Sequence, residues 1–172
     1  MMLPDYGRYY GSALTHIIDH CLVPVTVARL NLGIQGYYLL GSKVPLYIKF
    51  CRNRKGPWSF TFHRDHQIHY QKVADEYGDC ILALVCGKDG IVALNFAQVR
   101  EVLDDHFEEQ EGISVRRKLN HMYSIGGSNG RLSSKIARDS LMQQVSRLLG
   151  QKVISSSDDR QNDDEQTEAQ LG

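Results

Sequence analysis

Apolar positions recur along this chain with two periods, and the switches between them lay out its elements. In residues 8–21, Leu14, Ile17, Ile18 and Cys21 fall at i, i+3, i+4 and i+7, which predicts a helix. Residues 35–41, rich in Tyr and Leu, predict a strand. After a Gly-Ser-Lys turn, residues 44–51 (VPLYIKFC) alternate: Leu46, Ile48 and Phe50 share one face, Tyr47, Lys49 and Cys51 the other. The punctuated stretch Arg52-Asn53-Arg54-Lys55-Gly56-Pro57 predicts a turn. Residues 58–62 then set Trp58, Phe60 and Phe62 against Ser59 and Thr61. Tyr70, Val73, Ala74 and Tyr77 return to helical spacing over about 65–77, with Asp65 placed to cap the start and Gly78 to end it.

The run CILALVC, residues 80–86, has no polar alternation and predicts a central strand covered on both faces. Lys88-Asp89-Gly90 turns the chain into IVALNF, residues 91–96. Asn95 is placed to cap a helix from about 97 to 110, with Val99, Val102, Leu103 and Phe107 inward. A hairpin of ISVRRK and MYSI, a flexible connector at Gly126-Gly127-Ser128-Asn129-Gly130, and a helix at about 139–149 with Asp139 as N-cap complete the pattern. The α-β-β-β-α-β-β order through residue 96 predicts an α/β fold. It has a mixed central sheet, flanking helices and a C-terminal hairpin and helix. The expected organisation is one domain over residues 1–150, with a core at 8–110 and a basic extension at 113–150. Residues 151–172, acidic and without aromatics, are expected to be disordered.

Composition changes this picture little. The 172 residues are 42% hydrophobic and 23% charged, and no apolar run has the length of a membrane span. No secretory leader pattern opens the chain, so a cytoplasmic location without membrane association is expected. Cys21, Cys51, Cys80 and Cys86 form no C-x-x-C pair and read as reduced thiols.

Charge is more informative. The net charge of zero conceals blocks: +3 over residues 1–99, −5 over 100–112, +6 over 113–150 and −4 over 151–172. A basic segment between acidic ones suggests a polyanion partner or neutralisation by the tail. The candidate cations are Arg52, Arg54 and Lys55 in the first turn, Arg116, Arg117 and Lys118 on the hairpin, and Arg131 and Lys135 after it. Guanidinium groups bind phosphate bidentately, and an exposed Trp58 would stack on a base. The competing readings are a solvated turn, a core Trp58, and pairing of the hairpin with Asp104, Asp105, Glu108, Glu109 and Glu111.

Other motifs carry less. His63, His66 and His69 step by three, whereas helical metal pairs step by four, so no metal site is expected there. The glycine loop lacks the Gly-Lys-Ser/Thr of a phosphate-binding loop, and no G-x-S-x-G elbow is present.

Lys49 raises a sharper question. The element order over about residues 8–96, the segment LYIKF and the strand CILALVC resemble the restriction-endonuclease-like, PD-(D/E)xK nucleases, including Holliday-junction resolvases. The resemblance implies a lysine on an acid-x-Lys strand, with a further Asp on the strand before. That carboxylate pair would hold a divalent cation to activate water. This chain has Tyr47-Ile48-Lys49 in the first place and no acid in residues 35–40. The resemblance therefore implies a catalytically degenerate member. The expected function is a non-catalytic nucleic-acid-binding accessory protein, DNA ahead of RNA, without cofactor. It would use Lys49 together with the eight cations above. The alternatives are an active Mg²⁺-dependent nuclease, with Lys49 catalytic and Asp5 or Asp19 brought to it, and a protein-interaction subunit of a larger complex.

Overall fold

The all-apolar run decides the architecture, because a strand with no polar face needs cover on both sides. The computed structural model describes residues 2–150. In it β5 (Ile81–Cys86) is buried at all six positions. It lies in a five-stranded sheet with β1 (Val27–Arg29), β2 (Tyr37–Leu40), β3 (Val44–Cys51) and β6 (Gly90–Leu94), ordered β1-β2-β3-β5-β6. The β3–β5 pair is parallel and the others are antiparallel, so the sheet is mixed.

The predicted alternation of β3, and the two-sided apolar run of β5, sort their side chains into two cores. Leu46, Ile48, Ile81, Ala83 and Val85 point to one face. That face is covered by α1 (Asp5–His20) through Ala13 and Ile17, and by α4 (Ser140–Leu149) through Leu141, Met142 and Val145. Tyr47, Cys80, Leu82, Leu84 and Cys86 point to the other face. There α2 (Arg64–Tyr77) supplies Tyr70, Val73 and Ala74, and α3 (Phe96–Val102) supplies Val99 and Val102.

The α/β class and flanking helices are as the sequence predicts. The single sheet is not. Both edges of β3 are occupied, by β2 and β5, so β4 (Trp58–His63) has no place beside it. β4 instead opens a second sheet, β4-β7-β8-β9, with β7 (Gln110–Arg116), β8 (Ser124–Gly127) and β9 (Gly130–Arg131). Its Trp58, Phe60 and Phe62 join Ile113, Val115 and Ile125 in the same core as Tyr47 and Leu84. The second sheet thus lies on the first with one face buried and the other open. The predicted hairpin joins this second sheet, while the final helix covers the first.

Three further expectations change. The three-residue β1 is too short for a visible alternation and was not predicted. The helix expected at 97–110 stops at Val102. The glycine connector is a tight turn between β8 and β9, and it meets that helix end. Asn129 N–H donates to Val102 O at 3.0 Å, and Asp104 N–H donates to Asn129 Oδ1 at 3.2 Å. The turn therefore satisfies backbone groups at the helix C-terminus. Gly127 and Gly130 are required by close approach: a Cβ on either would collide with the carbonyl oxygen of Val102 or Glu101. The acidic residues 104–109 then lie in a loop, and Glu111 turns inward on β7 to accept from Gln67 Nε2. At the start of α2 the N-cap is His63, with Asp65 in the first turn. The tail expected to be disordered, 151–172, lies outside the described residues.

Gly127→Ala should cost about 2 kcal/mol or more, since backbone on both sides must shift. Urea unfolding checks this, and a loss below about 0.5 kcal/mol would show that the turn is not seated on the helix end.

Candidate nucleic-acid interface

The open face of the second sheet is built from small residues. Ser59 on β4, Gly112 and Ser114 on β7, and Ser124 and Gly126 on β8 form the floor of a groove of about 1510 Å³. Arg54 and Lys55 border it on the β4 side. Arg116 and Lys118 stand at the hairpin end, and Arg131 and Lys135 on the β9 side. Arg117 and Asp89 also line it, and Asp89 is the single carboxylate among the lining residues. The structure therefore brings seven of the nine sequence-predicted residues to one surface, although they come from three separate stretches of chain.

Each border is held in place by a specific contact. Trp58 Nε1 donates to Asn53 O at 2.9 Å, which ties the 52–57 turn to β4. Trp58 itself is 3% exposed, so it belongs to the core and offers no stacking surface. On the third border Arg131 pairs with Gly126 in the β8–β9 register, with its guanidinium beside the glycine.

The hairpin is anchored by Arg117. Its Nε and Nη2 donate to the two oxygens of Asp89 at 2.8 and 2.5 Å, a bidentate pair whose side chains are 8% and 19% exposed. Its Nη1 also donates to Lys118 O at 3.1 Å. Tyr123 Oη donates to Asp89 Oδ2 at 2.7 Å, and Arg138 Nη2 donates to Asp89 O at 2.9 Å. Arg117 thus has its charge satisfied internally, which removes it from the predicted phosphate contacts. Asp89 was read in the sequence only as a turn residue. A short polar turn closing two apolar strands gave no sign of its distant partners.

The remaining six cations have no ion-pair partner among the described residues. None is spent on the acidic loop at 104–109, against the pairing weighed from the sequence.

Arg52 and Lys49 are elsewhere. Arg52 Nη1 donates to Asp5 Oδ2 at 2.7 Å, on the side of α1. Lys49 shares the β3 face of Tyr47 and enters the space between the sheets. Its Nζ lies 4.5 Å from the ring centroid of Phe62 and 5.7 Å from that of Tyr47. It is half-buried there and does not line the groove. Burial lowers its amine to about 8, with Asp65 opposing the shift from a distance. No carboxylate is within ion-pair distance of it among the described residues, since Asp5 is committed to Arg52. No three His, Cys, Asp or Glu side chains among the described residues converge to hold a metal. His63, His66 and His69 serve helix α2 instead: His66 Nδ1 accepts from His63 N–H, and His69 Nδ1 meets Asp65 O.

These environments make opposite pH predictions. The hydrogen bonds from Arg117 hold the Asp89 carboxyl below its ordinary 3.8, partial burial opposes this, and Tyr123 adds to the lowering. A carboxylate held low stabilises the fold above its ordinary value, and that contribution is lost as pH falls through the folded value. Asp89→Asn should therefore cost about 2–4 kcal/mol at pH 7 in urea unfolding, and its deficit should shrink below about pH 4. A deficit unchanged in acid would exclude the ion pair as its cause. For Lys49 the sign reverses, because a base held low in the fold costs stability while protonated. Lys49→Met should raise stability by about 1–3 kcal/mol at pH 7, and that advantage should fade between pH 8 and 10.5. A loss of stability at pH 7 would show that the cation–π contact with Phe62 outweighs desolvation.

Comparisons with protein families, curated proteins and solved structures give no match to this chain, so the site rests on its own geometry: a cation-bordered groove on the open face of a small sheet.

Proposed function

We propose that this chain is a non-catalytic nucleic-acid-binding protein, and that the open face of the β4-β7-β8-β9 sheet is its contact surface. One observation carries the reading. Six cations with no ion-pair partner among the described residues surround a floor of glycines and serines on three sides, and the one carboxylate lining the groove is already paired. A phosphate backbone can approach such a floor closely, because no long side chain stands in the way, and each cation that meets a phosphate releases condensed counterions.

The degenerate nuclease-like reading of the main sheet is part of this proposal. The absence of a carboxylate at Lys49 among the described residues supports its non-catalytic form. An active nuclease with Lys49 as its centre has no such support, since the lysine is half-buried between sheets and away from the groove.

Binding of a fluorescent oligonucleotide should weaken roughly 10²–10³-fold between 50 and 200 mM salt, for about four to six phosphates engaged. Arg116→Ala with Lys118→Ala should reduce the log–log salt slope by about 2. Arg52→Ala should change affinity less than about twofold, because Arg52 points away to Asp5. Salt-independent binding, or an Arg52 effect equal to that of the hairpin pair, would overturn the assignment.

A further inference from the structure

We infer that the groove takes duplex DNA, and that Leu119 at the tip of the β7–β8 hairpin is a wedge that enters the base stack. This rests on the nucleic-acid reading above and goes beyond it in naming the form of the ligand and the residue that deforms it.

The first argument is what the groove lacks. Single-strand binding surfaces draw much of their affinity from aromatic rings on which bases stack. The rings that line or back this groove are spent in the core: Trp58 is 3% exposed and Tyr123 is 0% exposed. The floor of Ser and Gly also offers no Asn, Gln, Asp or Glu side chain to read base edges. Base-edge contact is left to the bordering Arg and Lys and to the floor serines, and the density of cations favours contact with the phosphate backbone.

The second argument is the placement of charge. Arg54 and Lys55 lie in the turn that leads into β4, and Arg131 lies on β9 with Lys135 after it, so β7 and β8 run between the two borders. Three interstrand spacings of about 4.8 Å separate those borders by roughly 14 Å. A single strand needs one track of cations. Two tracks whose backbones are this far apart, carried on long side chains that can lean inward, suit the two phosphate ridges that flank a duplex groove up to about 12 Å wide.

The third argument is the hairpin tip. Leu119 is 80% exposed and Met122 43% exposed, and both line the groove among its cations. A lone exposed leucine is ordinary on a surface. This one is carried on a turn whose conformation is fixed from beneath. The Arg117 guanidinium is locked onto Asp89 and holds the Lys118 and His121 carbonyls, and His121 N–H closes the turn onto Lys118 O. The ordering of the tip is therefore already present in the free protein. Leucine and methionine are among the side chains that proteins insert between base steps to kink DNA, and flanking cations hold the phosphates while they do so. An anionic membrane would also meet a cationic surface with an apolar tip. The recessed floor between the cation borders favours a convex rod over a flat bilayer.

The test uses the full chain and a DNA duplex of about 25 base pairs labelled at both ends, read by anisotropy and by energy transfer. Its single strand, an RNA duplex and vesicles containing phosphatidylserine serve as competing probes. The DNA duplex should bind at least about tenfold tighter than the single strand at equal salt, and end-to-end transfer should rise on binding. Leu119→Ala should abolish most of that rise and weaken duplex binding roughly 5–10-fold with an unchanged salt slope, while Leu119→Met retains both. The 80% exposure of Leu119 makes both variants fold as the parent does. Salt-dependent binding equal on duplex and single strand would overturn the inference and leave the groove standing. So would an unaltered bend in Leu119→Ala, or a Leu119-dependent preference for RNA duplex or vesicles. No binding to any nucleic acid would remove the groove reading and this inference together.

Discussion

The Asp89–Arg117 pair is the contact on which the rest of the surface depends. Asp89 sits in the turn between β5 and β6, at the end of the first sheet. Arg117 follows β7, in the second sheet. Their bidentate pair, with Tyr123 and Arg138 closing on the same aspartate, joins the two sheets and the segment before α4 at one point. A mostly buried guanidinium in that position has nowhere else to place its charge, so the pair acts as a register pin more than as a source of net stability. Because the carboxylate is consumed in it, the other charges lining the groove are cations with no ion-pair partner among the described residues.

That pin explains why adjacent residues do different work. Arg116, Arg117 and Lys118 are indistinguishable as a run of charge. Strand alternation sends Arg116 outward, and the chain just beyond β7 turns Arg117 inward to Asp89. Arg117 then fixes the turn that carries Lys118 and Leu119. The same division separates Lys49 from the groove. β3 is saturated by partners on both edges, so its Tyr47 face is roofed by the second sheet, and a lysine on that face ends against Phe62. A basic residue on a strand near a basic turn is then a packed residue, not part of the groove.

Much of this was legible in the residues. The helices α1, α2 and α4, the limits of β3, the two-sided burial of β5 and the Asn95 cap of α3 follow from apolar period and cap chemistry, which act within a few residues. The basic borders were also legible, as three charge clusters. Several features were not. α3 is short because the β8–β9 turn seats on its end, and those glycines look like a loose loop until the helix is placed beside them. Asp89 and Arg117 are separated by 28 positions, and no local pattern connects them. The same holds for Glu111, which reads as one more surface acid yet turns inward to Gln67.

The sequence by itself determined most of the helices and strands, β1, β9 and the end of α3 excepted, which faces are apolar, and that an excess of cations follows residue 113. Each of these is set by side-chain periodicity and by charge counted along a line. Only the tertiary structure decided that β4 leaves the first sheet for a second, that three distant cation clusters border one groove, and which cations have no ion-pair partner among the described residues. The physical reason is the same in each case. Strand edges can be paired only once, and a charge is available to a ligand only if no buried partner has taken it. Both are properties of neighbours in space, which the linear order does not contain.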